Sequence, residues 1–232
     1  MKKRVIAGML CFTACMMLSG CGAGKNSIEA TDVGDTSVNV YEEIIGIYHK
    51  AQEKGCTDIQ TLPDDNPFPG YDGSLNFVTS VCDSGGSSFY YSIYDFDNNG
   101  VNDLAVFNDH NAVALYTASD NRVLPLAFGQ YRNVLNISDD GEVFLLSYGG
   151  HKDYQIYKYH FIDDGKSLKT DYVKGTETGT DGSVIYYSYP SMEGSYFFDN
   201  DHGDKNLISE AEFKNAEEEC NNAACSVEKI PV

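Results

Sequence analysis

From Phe89 to Pro190 the chain alternates short β-branched and aromatic runs with tight-turn chemistry, and this rhythm restricts the fold more than any other feature. The turn groups are Asn99-Gly100, Ser119-Asp120-Asn121, Asp139-Asp140-Gly141 and Asp163-Asp164-Gly165. Each contains residues that tolerate positive φ, which short hairpin loops demand. The runs between them predict strands over 88–95, 103–108, 112–118, 122–128, 133–138, 142–149, 153–163, 167–174 and 183–189. Hairpins in series predict an antiparallel β-meander.

Two helices flank this β region. Asn39 followed by Glu42 reads as an N-cap with its reciprocal carboxylate, and Tyr41, Ile44, Ile45, Tyr48 and Ala51 then share one face over 40–54, with Gly55 as the stop. Near the C-terminus, Ser209 stands three residues before Glu212, and Ile208 can staple onto Phe213, which predicts a second helix over 210–221. Between the first helix and the β region, 57–72 holds Pro63, Pro67, Pro69 and Gly70 and reads as loop. Residues 74–82 read as a short helix or strand.

The first twenty residues form a different unit. Lys2, Lys3 and Arg4 precede an apolar stretch from Val5 to Leu18, which ends in Ser19-Gly20-Cys21. A charged start, an apolar middle and a small-residue exit describe an export signal that is removed. Leu18-Ser19-Gly20-Cys21 resembles the lipobox of bacterial lipoproteins. The resemblance implies that the Cys21 thiol carries diacylglycerol and becomes the first residue of the mature chain, held at the extracytoplasmic face of a membrane. Acyl chains bury methylenes at roughly 0.8 kcal/mol each, so two or three chains anchor durably. Residues 21–37 are small and polar without apolar periodicity and read as a flexible tether. Residues 38–232 then read as a single β-rich domain, expected to be a monomer.

Loss of Lys2, Lys3 and Arg4 with the signal takes the formal net charge from −19 to about −22. A surface this acidic repels phosphates, and no basic cluster interrupts it, so nucleic acid is excluded as a partner. Four cysteines remain beyond Cys21: Cys56, Cys82, Cys220 and Cys225. Outside the cytosol they are candidate disulfide cysteines in any of three pairings, or free thiols; their spacings lack a metal-type Cys-x-x-Cys.

One segment carries recognisable chemistry. Asp95-Phe96-Asp97-Asn98-Asn99-Gly100-Val101-Asn102-Asp103-Leu104 places oxygen side chains at its first, third, fifth and ninth positions. Calcium takes six to eight hard oxygens, and a loop turning at Gly100 can direct alternate side chains inward. Asp95, Asp97, Asn99 and Asp103 would give side-chain oxygens and Val101 its carbonyl. Carboxylates about 5 Å apart repel by about 3 kcal/mol at an effective dielectric near 20, so crowding three of them argues for a cation. A plain Asn-Gly hairpin turn would explain only two of these residues.

The aromatic strand, the Asp-x-Asp-x-Asn-Gly-x-x-Asp-Leu loop and the following Ala105-Val106-Phe107 resemble the calcium loops of FG-GAP repeats in integrin-type β-propellers. Asn99 stands where that family more often has Asp, and Val106 stands where an EF-hand would need Glu. A ring needs the loop several times, and it occurs once, so the expected fold is mainly β (α+β): a propeller-blade-like sheet, curved or partly closed, with one N-terminal and one C-terminal helix. With the lipobox and both helices, the chain resembles a group of uncharacterised bacterial lipoproteins. Asp199-Asn200-Asp201-His202-Gly203-Asp204 echoes the loop but with the wrong spacing.

No metalloprotease helix, nucleophile elbow or phosphate loop is present, and His49, His110, His151, His160 and His202 are scattered. The expectation is a calcium-stabilised, non-catalytic surface or binding module. Two alternatives stand beside it: a peptide- or glycan-binding protein using the seventeen tyrosines, and a hydrolase with an unrecognised acid or Ser/His site.

Overall fold

The computed structural model describes residues 36–54, 88–109, 111–120, 122–129, 132–149, 153–190, 204–223 and 225–232. All of them belong to one compact unit, Asp35–Val232. The signal, Cys21, Cys56, Cys82, Gly55 and the 57–72 and 74–82 segments lie outside the described residues.

The chain enters through helix α1 (Thr36–Lys54). Nine strands follow: β1 (Tyr90–Tyr94), β2 (Asp103–Phe107), β3 (Ala112–Ser119), β4 (Arg122–Phe128), β5 (Asn133–Ile137), β6 (Val143–Tyr148), β7 (Tyr154–Ile162), β8 (Ser167–Thr178) and β9 (Val184–Pro190). Each matches a sequence-predicted strand. The chain ends with β10 (Asn206–Leu207), helix α2 (Glu210–Asn222) and β11 (Ile230–Pro231). Every pairing is antiparallel. The sheet does not close; its path runs β10-β9-β8-β7-β6-β5-β3-β2-β1-β11.

Two sequence expectations need correction. Asn39 lies inside α1, not at its cap, because the helix already starts at Thr36; Thr36 and Ser37 are therefore helical residues and not tether. The meander also breaks. Strand β4 pairs β3 but leaves the main path, and β3 joins β5 at one position, Ala112 with Leu135. The sheet thus forks at β3: its N-terminal end continues to β5, while Ala114–Ser119 pair with β4. Pro125 sits in β4, where a missing N–H is tolerated because the strand pairs on one side.

The fork explains why so many strand residues are buried on both faces. Leu104, Val106, Ala114 and Tyr116 form one core with Tyr41, Ile44, Ile47, Tyr48 and Ala51 of α1. The alternate residues Ala105, Phe107 and Leu115 turn the other way and meet Leu135, Val143, Leu145, Tyr159 and Leu168 from the β5–β8 part of the sheet. On that part, Phe144, Leu146 and Ile156 face outward under Phe213, Ala216 and Cys220 of α2. The period-2 alternation therefore feeds an interior core and two outer helix-covered cores. Burying each large side chain contributes roughly 1.5–3 kcal/mol.

Helix α2 starts with the expected capping box: Ser209 accepts from the Glu212 N–H, and the Glu212 side chain accepts from the Ser209 N–H. Ile208 packs on the cluster that contains Phe213. No helix among the described residues is long and apolar enough to cross a membrane.

Candidate metal centre

The segment 95–103 links β1 to β2 and is built by short-range carboxylate bonds. Asp95 Oδ1 accepts the Asn99 N–H at 3.0 Å, and Asp95 Oδ2 accepts the Gly100 N–H at 2.9 Å. Asp97 Oδ1 accepts the Asn99 N–H at 3.2 Å, while Asn99 Oδ1 accepts the Val101 N–H at 2.7 Å. These bonds let the backbone turn back sharply, with Asn98 at φ 59° and Gly100 at φ 86°. Asn and Gly are the residues that accept such angles at least cost. Asp95, Asp97, Asn99 and Val101 lie in this loop, and Asp103 opens β2 at its end.

Asp103 is the unusual member. As the first residue of β2 it is fully buried, 0 % exposed. Its Oδ2 accepts the Phe96 N–H at 3.3 Å, yet its Oδ1 is buried with no hydrogen-bond partner. Burial pushes its carboxyl up to about 7; a side-chain hydrogen bond with Thr117 and the Phe96 N–H oppose the rise, and the charges of Asp97 and Asp95 add to it. Burial, helped by neighbouring Asp95, also raises Asp97. A buried, half-satisfied carboxylate beside two others is costly unless a proton or a cation compensates it.

Three other parts of the fold grip this loop, and sequence reasoning did not foresee them. The Tyr41 hydroxyl of α1 donates to the Asn102 carbonyl at 2.6 Å. In the β7–β8 turn, the Asp164 carbonyl accepts from Asn99 Nδ2 at 2.8 Å, and a Cβ at Gly165 would overlap Asn99 and Asp97. In the β5–β6 turn, a Cβ at Gly141 would overlap the Phe96 carbonyl. Phe96 itself is buried in the interior core. The signal was present: both turns are Asp-Asp-Gly, and they bring Asp139, Asp140, Asp163 and Asp164 to the same end of the sheet as the loop.

The donors suit a hard cation by chemistry: all are oxygens, and one is orphaned in the interior. Among the described residues, no group of three or more His, Cys, Asp and Glu side chains is disposed to hold a metal ion in this conformation. The loop amides occupy the Asp95 and Asp97 oxygens instead.

The remaining candidates are dispersed. His49 sits 3.6 Å from Glu53, and His160 Nδ1 sits 2.6 Å from Asp171 on an exposed face. His110, His151, His202 and residues 199–203 lie outside the described residues, and Asp204 is exposed. Cys220 and Cys225 are free thiols. Comparisons with protein families, with characterised proteins and with solved structures found no match to this chain.

Proposed function

We propose that the chain is an exported bacterial lipoprotein, held through lipid on Cys21 at the outer face of a membrane, whose β domain is a non-catalytic surface module stiffened by calcium. In this reading the ion takes oxygens from Asp95, Asp97, Asn99, Asp103 and the Val101 carbonyl, and the sheet acts as a single propeller-blade-like unit working as a monomer. The observation that carries the metal is the buried Asp103 Oδ1 without a partner, beside two acids whose charge raises its pKa. Calcium would supply the missing partner for this oxygen and offset the repulsion. The position of the loop supports a stiffening role, since α1 and the β7–β8 turn hydrogen-bond to it and the β5–β6 turn packs closely against it.

The test is thermal unfolding of Asp35–Val232 with calcium and with chelator. At a hundredfold excess over Kd, a ligand adds about 2.7 kcal/mol, which raises Tm by about 5–10 °C in a domain of this size. Asp97→Ala removes the increment. An unchanged Tm in the native domain rejects the metal. For the anchor, Cys21→Ser moves the chain from the membrane fraction to the soluble one; retention in the membrane rejects lipidation.

A further inference from the structure

A cavity of about 370 Å³ opens where the sheet forks, between the β2–β3 turn, strands β5 and β6, and the chain that follows α2. Its origin is topological. Because β3 joins β5 at one position only, the ladder ends there and leaves a concavity floored by apolar side chains such as Ala112 and Val134. The volume lies within the range of about 300–1,000 Å³ typical of small-molecule sites.

The lining is chemically distinct from the rest of the protein. In a chain with 35 acidic residues, the described residues that line it include no Asp or Glu, and the one charged residue among them is Lys229. Lys229 makes no ion pair with a described carboxylate; its ammonium sits 4.4 Å from the centre of the Phe107 ring, which holds it at the cavity. Among the described residues that line the space, three carry amides: Asn111, Asn136 and Asn221. Asn136 donates Nδ2 to the Cys220 carbonyl at 3.0 Å, which fixes its orientation and leaves Oδ1 as an acceptor. Tyr148 supplies an aromatic wall. It is 45 % exposed, stacked on Tyr154 with ring centres 6.0 Å apart.

An ammonium resting over the Phe107 ring, planar amides that both donate and accept, and an aromatic wall suit a ligand with one negative charge and several hydroxyls. Asn221 and Ala223 bring the C-terminal end of α2 to the cavity; its partial negative charge opposes any anion, a dianion such as phosphate more strongly than a carboxylate, so a monoanion is the charge that Lys229 can offset. We propose that this cavity binds a small hydroxylated carboxylate of the sugar-acid class, with the carboxylate on Lys229, hydroxyls on the three asparagines and the ring against Tyr148. The inference gives the surface-module reading a ligand class and rests on that reading for location alone, not on the metal.

The probe is radiolabelled D-glucuronate in equilibrium dialysis against the full chain, run with calcium and with chelator. D-glucose and inorganic phosphate serve as comparison ligands. Saturable binding with one site per chain is expected in both conditions, with glucose and phosphate each at least about tenfold weaker. Lys229→Gln and Tyr148→Ala, both at exposed positions, each weaken glucuronate by roughly tenfold while unfolding stays cooperative and the unfolding temperature falls by no more than about 5 °C. Absence of saturation up to about 20 mM, equal binding of glucose or phosphate, or native affinity in Lys229→Gln overturns the proposal. Calcium-dependent failure at the 95–103 loop would leave glucuronate binding intact, so the two readings fail separately.

Discussion

Asn99 donates its side-chain amide to the carbonyl of Asp164 at 2.8 Å, joining the β1–β2 loop to the β7–β8 turn across 65 positions of sequence. The turn can approach this closely because Asp163, Asp164 and Gly165 all adopt positive φ, at 53°, 54° and 82°. Gly165 then lies flat against Asn99 and Asp97 with no room for a Cβ.

Gly165→Ala is therefore expected to destabilise the domain by about 2 kcal/mol, since the ends of the Asn99 and Asp97 side chains must move off their hydrogen bonds in addition to the backbone strain. Gly182 offers the internal control. Its φ is nearly the same, 81°, but nothing lies within 4 Å of an added Cβ. Gly182→Ala should cost only about 1 kcal/mol. Urea unfolding of both variants measures the difference, and equal losses would show that the turn does not press on the loop.

Asp103→Asn separates the buried charge from the metal. Without calcium at neutral pH, the exchange removes a carboxylate that burial disfavours, so the variant should be as stable as the native chain or more so. With calcium, the variant should gain nothing. Chemical unfolding in chelator and in calcium reads both. A large loss of stability in chelator would show that the charge itself holds the loop.

A second latch reports on pH. The Ser226 N–H donates to Asp139 Oδ1 at 2.7 Å and its hydroxyl donates to Oδ2, tying the C-terminal segment to the β5–β6 turn. The Ser226 hydroxyl, and then its N–H, hold the Asp139 pKa below the usual carboxylate value. A depressed carboxylate pKa means the latch contributes fully above the unfolded value near 4 and is lost as pH falls through the lower folded value. Hydrogen exchange at the Ser226 amide should accelerate, beyond its intrinsic pH trend, only below about pH 4. Asp139→Asn should abolish that excess.

Much of the sheet was legible because hairpin chemistry is local. Asn-Gly and Asp-Asp-Gly turns mark the β1–β2, β5–β6 and β7–β8 hairpins, and the β-branched and aromatic runs place the remaining longer strands. What escaped depended on tertiary packing. Strand β8 runs to Thr178 although Gly175 looks like a breaker, because the Tyr187 ring lies over that glycine where any Cβ would collide. Strands β10 and β11 have two residues each, too few to show a period, and exist because they cap sheet edges. Helix α1 begins earlier than Asn39 because a capping-box pattern can also occur within a helix. The fork at β3 has no local signature beyond Pro125.

The candidate site divides the same way. Asp95, Asp97, Asn99 and Asp103 announce themselves by spacing, whereas Tyr41, Gly141 and Gly165 join the loop from other elements. The cavity at the fork could not be read from sequence at all, since Phe107, Asn136, Tyr148 and Lys229 share no pattern and meet only after the sheet divides.

The central claim is that the loop starting at Asp95 closes on a calcium ion. Isothermal titration of calcium into chelator-treated Asp35–Val232 tests it most directly. The account predicts one ion per chain, with a dissociation constant of about 1 mM or tighter, as extracellular modules show, and no binding in Asp97→Ala. Heat indistinguishable from dilution up to about 10 mM calcium would contradict it, and the acids at this end of the sheet would then need another explanation.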